Sequence, residues 1–237
     1  MGGDKLKTLY FATSSEIKLK QYSQIFSDFG YEISQGMVIN NTLIEPQFDV
    51  DSEEGITSLV SHPLRLAARF ISKNKQIPYI IEDTMLLIEP LSKGFVLDAG
   101  LPGADTKNWW INLGTEGLLE LMKNHTNRKA KFICQIGAYL GPGNYLFASA
   151  SVEGEIMQNA VISEIAEKEF PRSNPYFFHQ IFKPLGSNKG MGEMNANEFK
   201  RFDYRKKCAE VFVKKLTKID LPPTEYLKQY DLFTGDK

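Results

Sequence analysis

The chain lacks the features that mark several specialised classes of protein. Its 237 residues include only two cysteines, Cys134 and Cys208, and neither belongs to a CxxC pair. A disulfide scaffold and a cysteine-rich zinc site are therefore not indicated, and a reducing compartment is the simpler interpretation. No apolar run approaches the roughly 18 residues of a membrane span, and the N-terminus has no apolar signal region. We expect a cytoplasmic protein without membrane contact.

The charge balance and the positions of the histidines argue against further classes of protein. The chain has 28 Lys and Arg against 29 Asp and Glu, a net charge of −1, which argues against nucleic-acid binding by bulk electrostatics. The three histidines, His62, His125 and His179, show neither HxxxH nor HExxH spacing, so a histidine metal site is not expected. There is no GxSxG motif and no recognisable cysteine nucleophile signature, so covalent hydrolase chemistry has no support.

Strand and helix patterns alternate in the first part of the chain. The run Thr8–Thr13 predicts a strand, and a helix follows with Ser14 or Ser15 as its cap and Gly30 at its end. A second helix is predicted over 54–72. Next, "IPYIIED" predicts a buried strand, and "MLLIEPL" is either its continuation or a hairpin partner.

The second part combines helices with an antiparallel signal. A third helix is predicted in "DTKNWWINLGTEGLLELMKN", weakened or broken near Gly114. Two strand-like runs flank the turn "GPGN" and predict a hairpin. The last helix is predicted over Tyr204–Leu216, with four residues facing inward: Cys208, Val211, Phe212 and Leu216. We therefore predict an α/β fold with a mixed, twisted sheet, formed by one domain over 1–237 with a peripheral tail from about 218.

Two adjacent acids, Glu82 and Asp83, interrupt an apolar run. Neighbouring side chains of a strand point to opposite faces, so both cannot be buried in one core. If the strand ends here, both carboxylates can emerge at the sheet edge, hold Mg²⁺ and activate a water. The alternative is a solvated strand end with two ordinary surface acids.

Three other segments carry candidate binding residues. In "ATSSEIKLK" the helix start offers backbone amides to an anion, and Ser14, Ser15 and Lys18 add donors or charge. The loop "GSNKGMG" carries Lys189, which is suited to reach a phosphate. The run "KRFDYRKK" concentrates positive charge, although such a run is usually a solvated helix face.

The aromatic run before that loop has two interpretations. Tyr176, Phe177 and Phe178 are suited to stack on a nucleobase. The alternative is that they form the core of a buried strand.

In this order and spacing, these segments resemble the inosine triphosphate pyrophosphatase (ITPase) family over Leu9 to about Phe212. "FATSSEIKLKQ" is similar to the family's F-x-T-x-N-x-x-K opening, and "IEDTMLLIEPLSKGFVLDAGLPGA" to its acidic and GxPG segment. "FFHQIFKPLGSNKGMGEM" and "FDYRKKCA" stand where the aromatic–glycine loop and S-H-R-x-x-A are expected. The resemblance implies two lobes around a central cleft, a homodimer, and Mg²⁺-dependent hydrolysis of ITP, XTP or dITP to monophosphate and pyrophosphate.

The resemblance also implies roles for individual residues. Asp83 and Glu82 would be catalytic, with Asp83 the better base. Glu45, Glu82 and Asp83 would bind Mg²⁺. The nucleoside triphosphate would be bound by nine residues: Thr13, Ser15, Lys18, Tyr176, Phe178, His179, Lys189, Tyr204 and Arg205.

The departures from the family pattern lie in base recognition. The family's GYD or GWD is Phe177-Phe178-His179 here, and the Ser-His before the arginine is Asp203-Tyr204. Three alternatives to an ordinary ITPase therefore stay open: a pyrophosphatase with changed base specificity, a catalytically impaired nucleotide-binding protein, and an α/β interaction module with accidental matches.

Overall fold

The computed structural model describes the greater part of the sheet and its flanking helices. It describes residues 7–13, 15–35, 38–39, 42–43, 79–91, 102–103, 106–139, 145–163 and 177–219. The helix predicted over 54–72, the "GPGN" turn and most of the predicted tail lie outside these residues.

The chain begins with a strand–turn–helix–strand unit. Strand β1 spans Lys7–Phe11, helix α1 spans Glu16–Ser27, and strand β2 spans Tyr31–Gln35. The two strands pair in parallel, as a helical crossover requires. Ser15 caps α1, because its side chain accepts a hydrogen bond from the Lys18 backbone amide, so one of the two predicted caps is confirmed.

The central strand, β5, spans Tyr79–Ile88 without interruption. The expectation that the strand ends at Glu82 and Asp83 is therefore wrong, and the alternative of one continuous strand is confirmed. The physical reason is pairing: β1 pairs with β5 only to Ile80, but β7, Lys129–Tyr139, provides an antiparallel partner for every residue from Tyr79 to Ile88.

Strands β7, Lys129–Tyr139, and β8, Tyr145–Ile156, form the predicted hairpin. Strand β9, Phe182–Pro184, pairs antiparallel with β8. The short elements are β3 (Val38–Ile39), β4 (Thr42–Leu43), β6 (Pro102–Gly103) and three 3-10 turns at Glu89–Leu91, Phe177–Gln180 and Met191–Glu193.

The main sheet has the strand order β2–β1–β5–β7–β8–β9, with β6 also paired to β5, while β3 and β4 form a separate pair. Pairing is parallel on both sides of β1 and antiparallel elsewhere, so the predicted mixed α/β sheet is confirmed. The arrangement of two lobes around a cleft stays a prediction.

Helix α2, Thr106–Met122, contains the predicted weak point, since Gly114 adopts φ 67° and ψ −178°. A positive φ of this kind is accessible to glycine at little cost. Helix α3 spans Ala196–Lys200. None of the helices that the structure describes is long and apolar enough to cross a membrane.

Helix α4 spans Tyr204–Leu216, as predicted. Cys208, Phe212 and Leu216 are buried, but Val211 is 37% exposed, so its predicted inward position is wrong. Val213 is buried instead, because the buried face of the helix is centred on the other side of Cys208.

Helices α1 and α4 pack on the same face of the sheet. The rings of Phe26 and Phe212 meet edge to face at 6.0 Å. On the sheet side, the Cys208 thiol donates to the Cys134 carbonyl at 3.3 Å. This shared core fixes both helix N-termini near the middle of β5.

Candidate active site

The two acids of β5 lie on opposite faces of the sheet. The side chains of Glu82, Thr84 and Cys134 point to the side of the sheet that α1 and α4 cover. We call this side the Glu82 face. Asp83 points to the other side, the Asp83 face. Both follow the last β5 residue that pairs with β1, so they lie beside the turn that opens α1.

That turn is held by side-chain hydroxyls. Thr13 is buried, and its Oγ1 accepts a hydrogen bond from the Ser15 backbone amide at 3.1 Å. Ser15 Oγ accepts from the Lys18 amide at 3.3 Å, and the Thr13 carbonyl accepts from Gln35 Nε2 at 3.0 Å. These hydrogen bonds fix the start of α1. The backbone N–H groups and the positive end of the helix dipole are therefore available to an anion at this turn.

Lys18 lies in the first turn of α1, and its side chain extends to the sheet. Its Nζ is 3.1 Å from Glu82 Oε2 and donates to the Glu82 carbonyl at 3.4 Å. The lysine side chain is 23% exposed, whereas that of Glu82 is 1% exposed. The ammonium group is therefore tied to the strand and still accessible to solvent.

Arg205 approaches the same carboxylate from the start of α4. Its Nε lies 3.5 Å from Glu82 Oε1, and its Nη1 donates to Gln21 Oε1 at 2.8 Å. Thr84 Oγ1 donates to Glu82 Oε1 at 2.5 Å. Lys18, Glu82 and Arg205 thus form a buried ion cluster that joins two helices to the central strand.

The charges of the ion cluster are stabilised in the folded protein. Burial opposes ionisation of Glu82, but Lys18 and Arg205 outweigh it and lower its pKa from 4.5 to about 2. Burial also opposes the charge on Lys18, yet Glu82 and Asp83 together raise its pKa. All three groups are charged at neutral pH.

Asp83 experiences the opposite balance. Burial and the neighbouring charge of Glu82 raise its pKa from 3.8 to about 6, against the attraction of Lys18. The side chain is half-buried, and its Oδ1 accepts a hydrogen bond from the Thr84 amide at 2.9 Å. A carboxylate with a raised pKa at the rim of a polar turn is suited to take a proton from a water near neutral pH.

Gln135 is directly opposite Asp83 in the β5–β7 pair and lies on the same face. It is 1% exposed, and its Oε1 has no hydrogen-bond partner among the residues that the structure describes. Buried polar atoms are seldom left unpaired, so this oxygen requires an explanation.

Divalent-metal binding was predicted for Glu45, Glu82 and Asp83. Glu45 lies outside the described residues, and within the described part of the chain no group of three His, Cys, Asp or Glu side chains could hold a metal ion. Asp83 has the donor chemistry for Mg²⁺, an oxygen ligand at a partly exposed position. The carboxylate of Glu82 faces Lys18, Arg205 and Thr84 instead.

The aromatic residues predicted to bind the base pack in the core. Phe178, His179 and Tyr204 are each 5% exposed or less. Tyr204 stacks on Phe132 with ring centroids 5.1 Å apart, and its hydroxyl lies 3.3 Å from His179 Nε2. Tyr176 lies outside the described residues. The role of these residues in base binding stays a prediction.

Lys189 lies apart from the ion cluster in its contacts. Its Nζ forms an ion pair with Glu198 at 2.6 Å, and its backbone amide donates to Ser187 Oγ at 3.0 Å. The structure therefore brings together Thr13, Ser15, Lys18, Glu82 and Arg205, with Asp83 on the reverse face of the strand.

Three neighbours of the site were not found from the sequence. Gln21 follows Lys18 by nearly one helical turn, and Thr84 follows Glu82 by two positions on the same strand face; both spacings were available as signals. Gln135 was visible as a lone polar residue in the run "FICQIGAYL".

The fold and the site define an α/β protein with a candidate anion-binding site, where a capped helix start meets an acidic strand. The chain belongs to the Ham1 family, whose model matches residues 9–215. The resemblance to ITPases is confirmed at this level.

Relatives and solved structures agree with this assignment. The chain is 31% identical over 210 residues to a dITP/XTP pyrophosphatase of Ignicoccus hospitalis, covering 88% of this chain and 94% of that one. It is 27% identical over 192 residues to an inosine triphosphate pyrophosphatase of Scheffersomyces stipitis, covering 80% and 88%. The Staphylococcus aureus Ham1 protein superimposes with a TM-score of 0.64 at 20% identity, covering 89% of this chain and 98% of that chain, which shows the shared fold.

Proposed function

We propose that this protein is a nucleoside triphosphate pyrophosphohydrolase that cleaves the α–β phosphate linkage of non-canonical purine nucleotides such as ITP, XTP or dITP. The observation that carries the proposal is the ion cluster at the start of α1, which presents a partly exposed lysine next to Asp83. The printed names of the relatives, dITP/XTP pyrophosphatase and inosine triphosphate pyrophosphatase, support the same reaction.

In this proposal the polyphosphate is bound at the start of α1. Backbone amides and the helix dipole attract the anion, and Lys18 contributes a charge that Glu82 holds in place. Thr13 and Ser15 keep the turn in shape through their hydroxyl groups. Lys189 contacts the phosphates only if it exchanges Glu198 for the substrate.

Asp83 is the proposed general base. It accepts a proton from a water whose oxygen attacks the α-phosphorus, the bond to the bridging oxygen breaks, and pyrophosphate leaves with the nucleoside monophosphate as the other product. The raised pKa of Asp83 suits this proton transfer, because a base whose pKa lies near the working pH is efficient.

Mg²⁺ is the proposed cofactor. Asp83 and Glu45 are the candidate ligands, and Glu82 was the third predicted ligand. A bound Mg²⁺ would offset the negative charge that develops on the phosphate oxygens.

For the purine end we propose Arg205 as the polar contact, with Tyr176, Phe178, His179 and Tyr204 shaping the pocket. A changed base specificity is a second candidate. It is favoured by the burial of Tyr204 against Phe132, since bulky packed rings stand where the family pattern has smaller groups.

The reaction is tested by measuring pyrophosphate release from ITP, XTP, dITP and the canonical triphosphates, with Mg²⁺ and with EDTA. We expect wild-type protein to release pyrophosphate from at least one substrate only when Mg²⁺ is present. Release of inorganic phosphate instead would assign a different cleavage position. Tight nucleotide binding without any release would favour the catalytically impaired alternative.

We further propose that the protein is a cytoplasmic homodimer built from one domain. The reduced, buried thiols of Cys134 and Cys208 suit a reducing compartment. Light scattering after gel filtration measures the subunit number, and a single unfolding transition is expected for one domain.

A further inference from the structure

We propose that Glu82 is a positioning residue that holds Lys18 and Arg205 at a fixed separation, and that it is not a ligand of the divalent cation. The inference rests on the proposed function, which assigns Lys18 to the phosphates and Arg205 to the base. It changes the role of Glu82 from the metal-binding and catalytic role that the resemblance implies.

The first argument is that the Glu82 carboxylate already faces two protein cations and one hydroxyl donor. Oε1 accepts from Thr84 Oγ1 at 2.5 Å and lies 3.5 Å from Arg205 Nε, while Oε2 lies 3.1 Å from Lys18 Nζ. Mg²⁺ requires near-octahedral oxygen ligands at about 2.0–2.1 Å and retains several waters. A side chain that is 1% exposed offers no room for that hydration shell.

The second argument is electrostatic. A divalent cation bound to Glu82 would lie beside the positive charges of Lys18 and Arg205, and like charges at such distances repel strongly in a buried environment. Asp83 is separated from this cluster by the backbone of the strand and points to the opposite face. A cation at Asp83 would therefore meet weaker repulsion than one at Glu82, whose oxygens lie within 3.1 Å of Lys18 Nζ and 3.5 Å of Arg205 Nε.

The third argument is topological. Lys18 belongs to α1 and Arg205 to α4, and each forms an ion pair with the same carboxylate of β5. Without that negative charge the two cations would repel each other, and each flexible side chain would adopt other rotamers. Glu82 thus couples the phosphate end of the proposed site to the base end.

The test compares Glu82→Gln with Asp83→Asn, using Glu32→Gln at an exposed position of strand β2 as the matched control. Mn²⁺ binding is measured by electron paramagnetic resonance without nucleotide. We expect Glu82→Gln to keep the wild-type Mn²⁺ affinity within about twofold, and Asp83→Asn to lose at least about tenfold. Equal loss of Mn²⁺ affinity in both variants would make Glu82 a ligand and overturn the proposal.

Inhibition constants give the second readout. Inorganic tripolyphosphate probes the phosphate end, and IMP probes the base end. Lys18→Met should weaken mainly inhibition by tripolyphosphate, and Arg205→Met should weaken mainly inhibition by IMP. Glu82→Gln should raise both inhibition constants by about tenfold and should raise KM more than it lowers kcat. Unchanged constants for both inhibitors would also overturn the proposal.

Thr84→Val keeps the proposal testable if the Glu82→Gln protein does not fold. It removes one hydrogen bond to Oε1 and leaves all charges, so the two inhibition constants should shift in the same direction by a smaller factor. If wild-type protein releases no pyrophosphate from any nucleotide, the proposed function fails. The Mn²⁺ comparison between positions 82 and 83 still decides whether Glu82 is a ligand.

Discussion

The two faces of strand β5 differ in how their polar groups are satisfied. On the Glu82 face, the carboxylate contacts Lys18, Arg205 and Thr84, and its pKa is lowered to about 2. On the Asp83 face, the carboxylate has its pKa raised to about 6, and Gln135 Oε1 has no partner within the described residues. On the first face both carboxylate oxygens lie within ion-pair distance of a protein cation, whereas the second face has the properties of a site that a ligand completes.

The difference arises because the two acids are one position apart on the same strand. Successive side chains of a strand point to opposite faces, so two acids adjacent in sequence enter unrelated environments. A carboxylate therefore stabilises the fold on the Glu82 face, and a second carboxylate is available for reaction on the Asp83 face. The following predictions test this division.

The largest effect is expected for Asp83→Asn. Replacing the proposed base should lower kcat for the accepted nucleotide by roughly 10²–10⁴-fold, the usual contribution of a general base. Asp28→Asn, an exposed aspartate at the end of α1, serves as the control and should keep wild-type activity.

The same variant should be more stable than wild type. Because each unit of pKa difference corresponds to about 1.4 kcal/mol, Asp83→Asn should raise the free energy of unfolding at pH 7.5 by about 2–3 kcal/mol without metal. The folded state holds the Asp83 proton more tightly than the unfolded state, so wild-type stability falls as pH rises from 3.8 to about 6. The advantage of the variant should therefore vanish below pH 3.8 in urea titrations with EDTA. A less stable variant at pH 7.5 would contradict the comparison.

Glu82→Gln should act in the opposite direction. Removing the shared carboxylate takes an ion-pair partner from partly exposed Lys18 and from buried Arg205, and we expect a loss of roughly 3–5 kcal/mol in the free energy of unfolding at pH 7.5. The folded-state pKa of Glu82 is the lower one, so its contribution is present above pH 4.5 and is lost as pH falls toward 2. The gap between wild type and variant should narrow across that window. A gap that stays constant down to pH 2 would show that the charge of Glu82 is not responsible.

The smallest effect is expected for Gln135→Met, which replaces a buried amide whose oxygen is unpaired among the described residues by an apolar group of similar length. Removing an unsatisfied buried polar atom should stabilise the metal-free protein by about 1–3 kcal/mol in urea unfolding. Gln24→Met, at an exposed position of α1, is the control and should change stability by less than about 0.5 kcal/mol. A destabilised Gln135→Met protein would mean that the amide oxygen already has a partner.

Much of the local structure followed from sequence patterns. The Ser15 cap, the α1 helix, the break at Gly114 and the β7–β8 hairpin were predicted correctly, because capping chemistry, glycine and alternating hydrophobicity act over a few residues. The end of β5 was predicted incorrectly. Two adjacent acids look like a strand end only when the partner strand β7, which pairs through both of them, is not known.

The sequence by itself determined the fold class, the family, and the set of charged residues from which the site is built, since order and spacing along the chain carry that information. Only the tertiary structure decided how those charges are divided. Lys18 and Arg205 come from distant helices and meet at Glu82 because α1 and α4 share one core on one face of the sheet. Asp83 points to the other face because successive side chains of a strand alternate, and no local sequence pattern predicts which residues pack on each face.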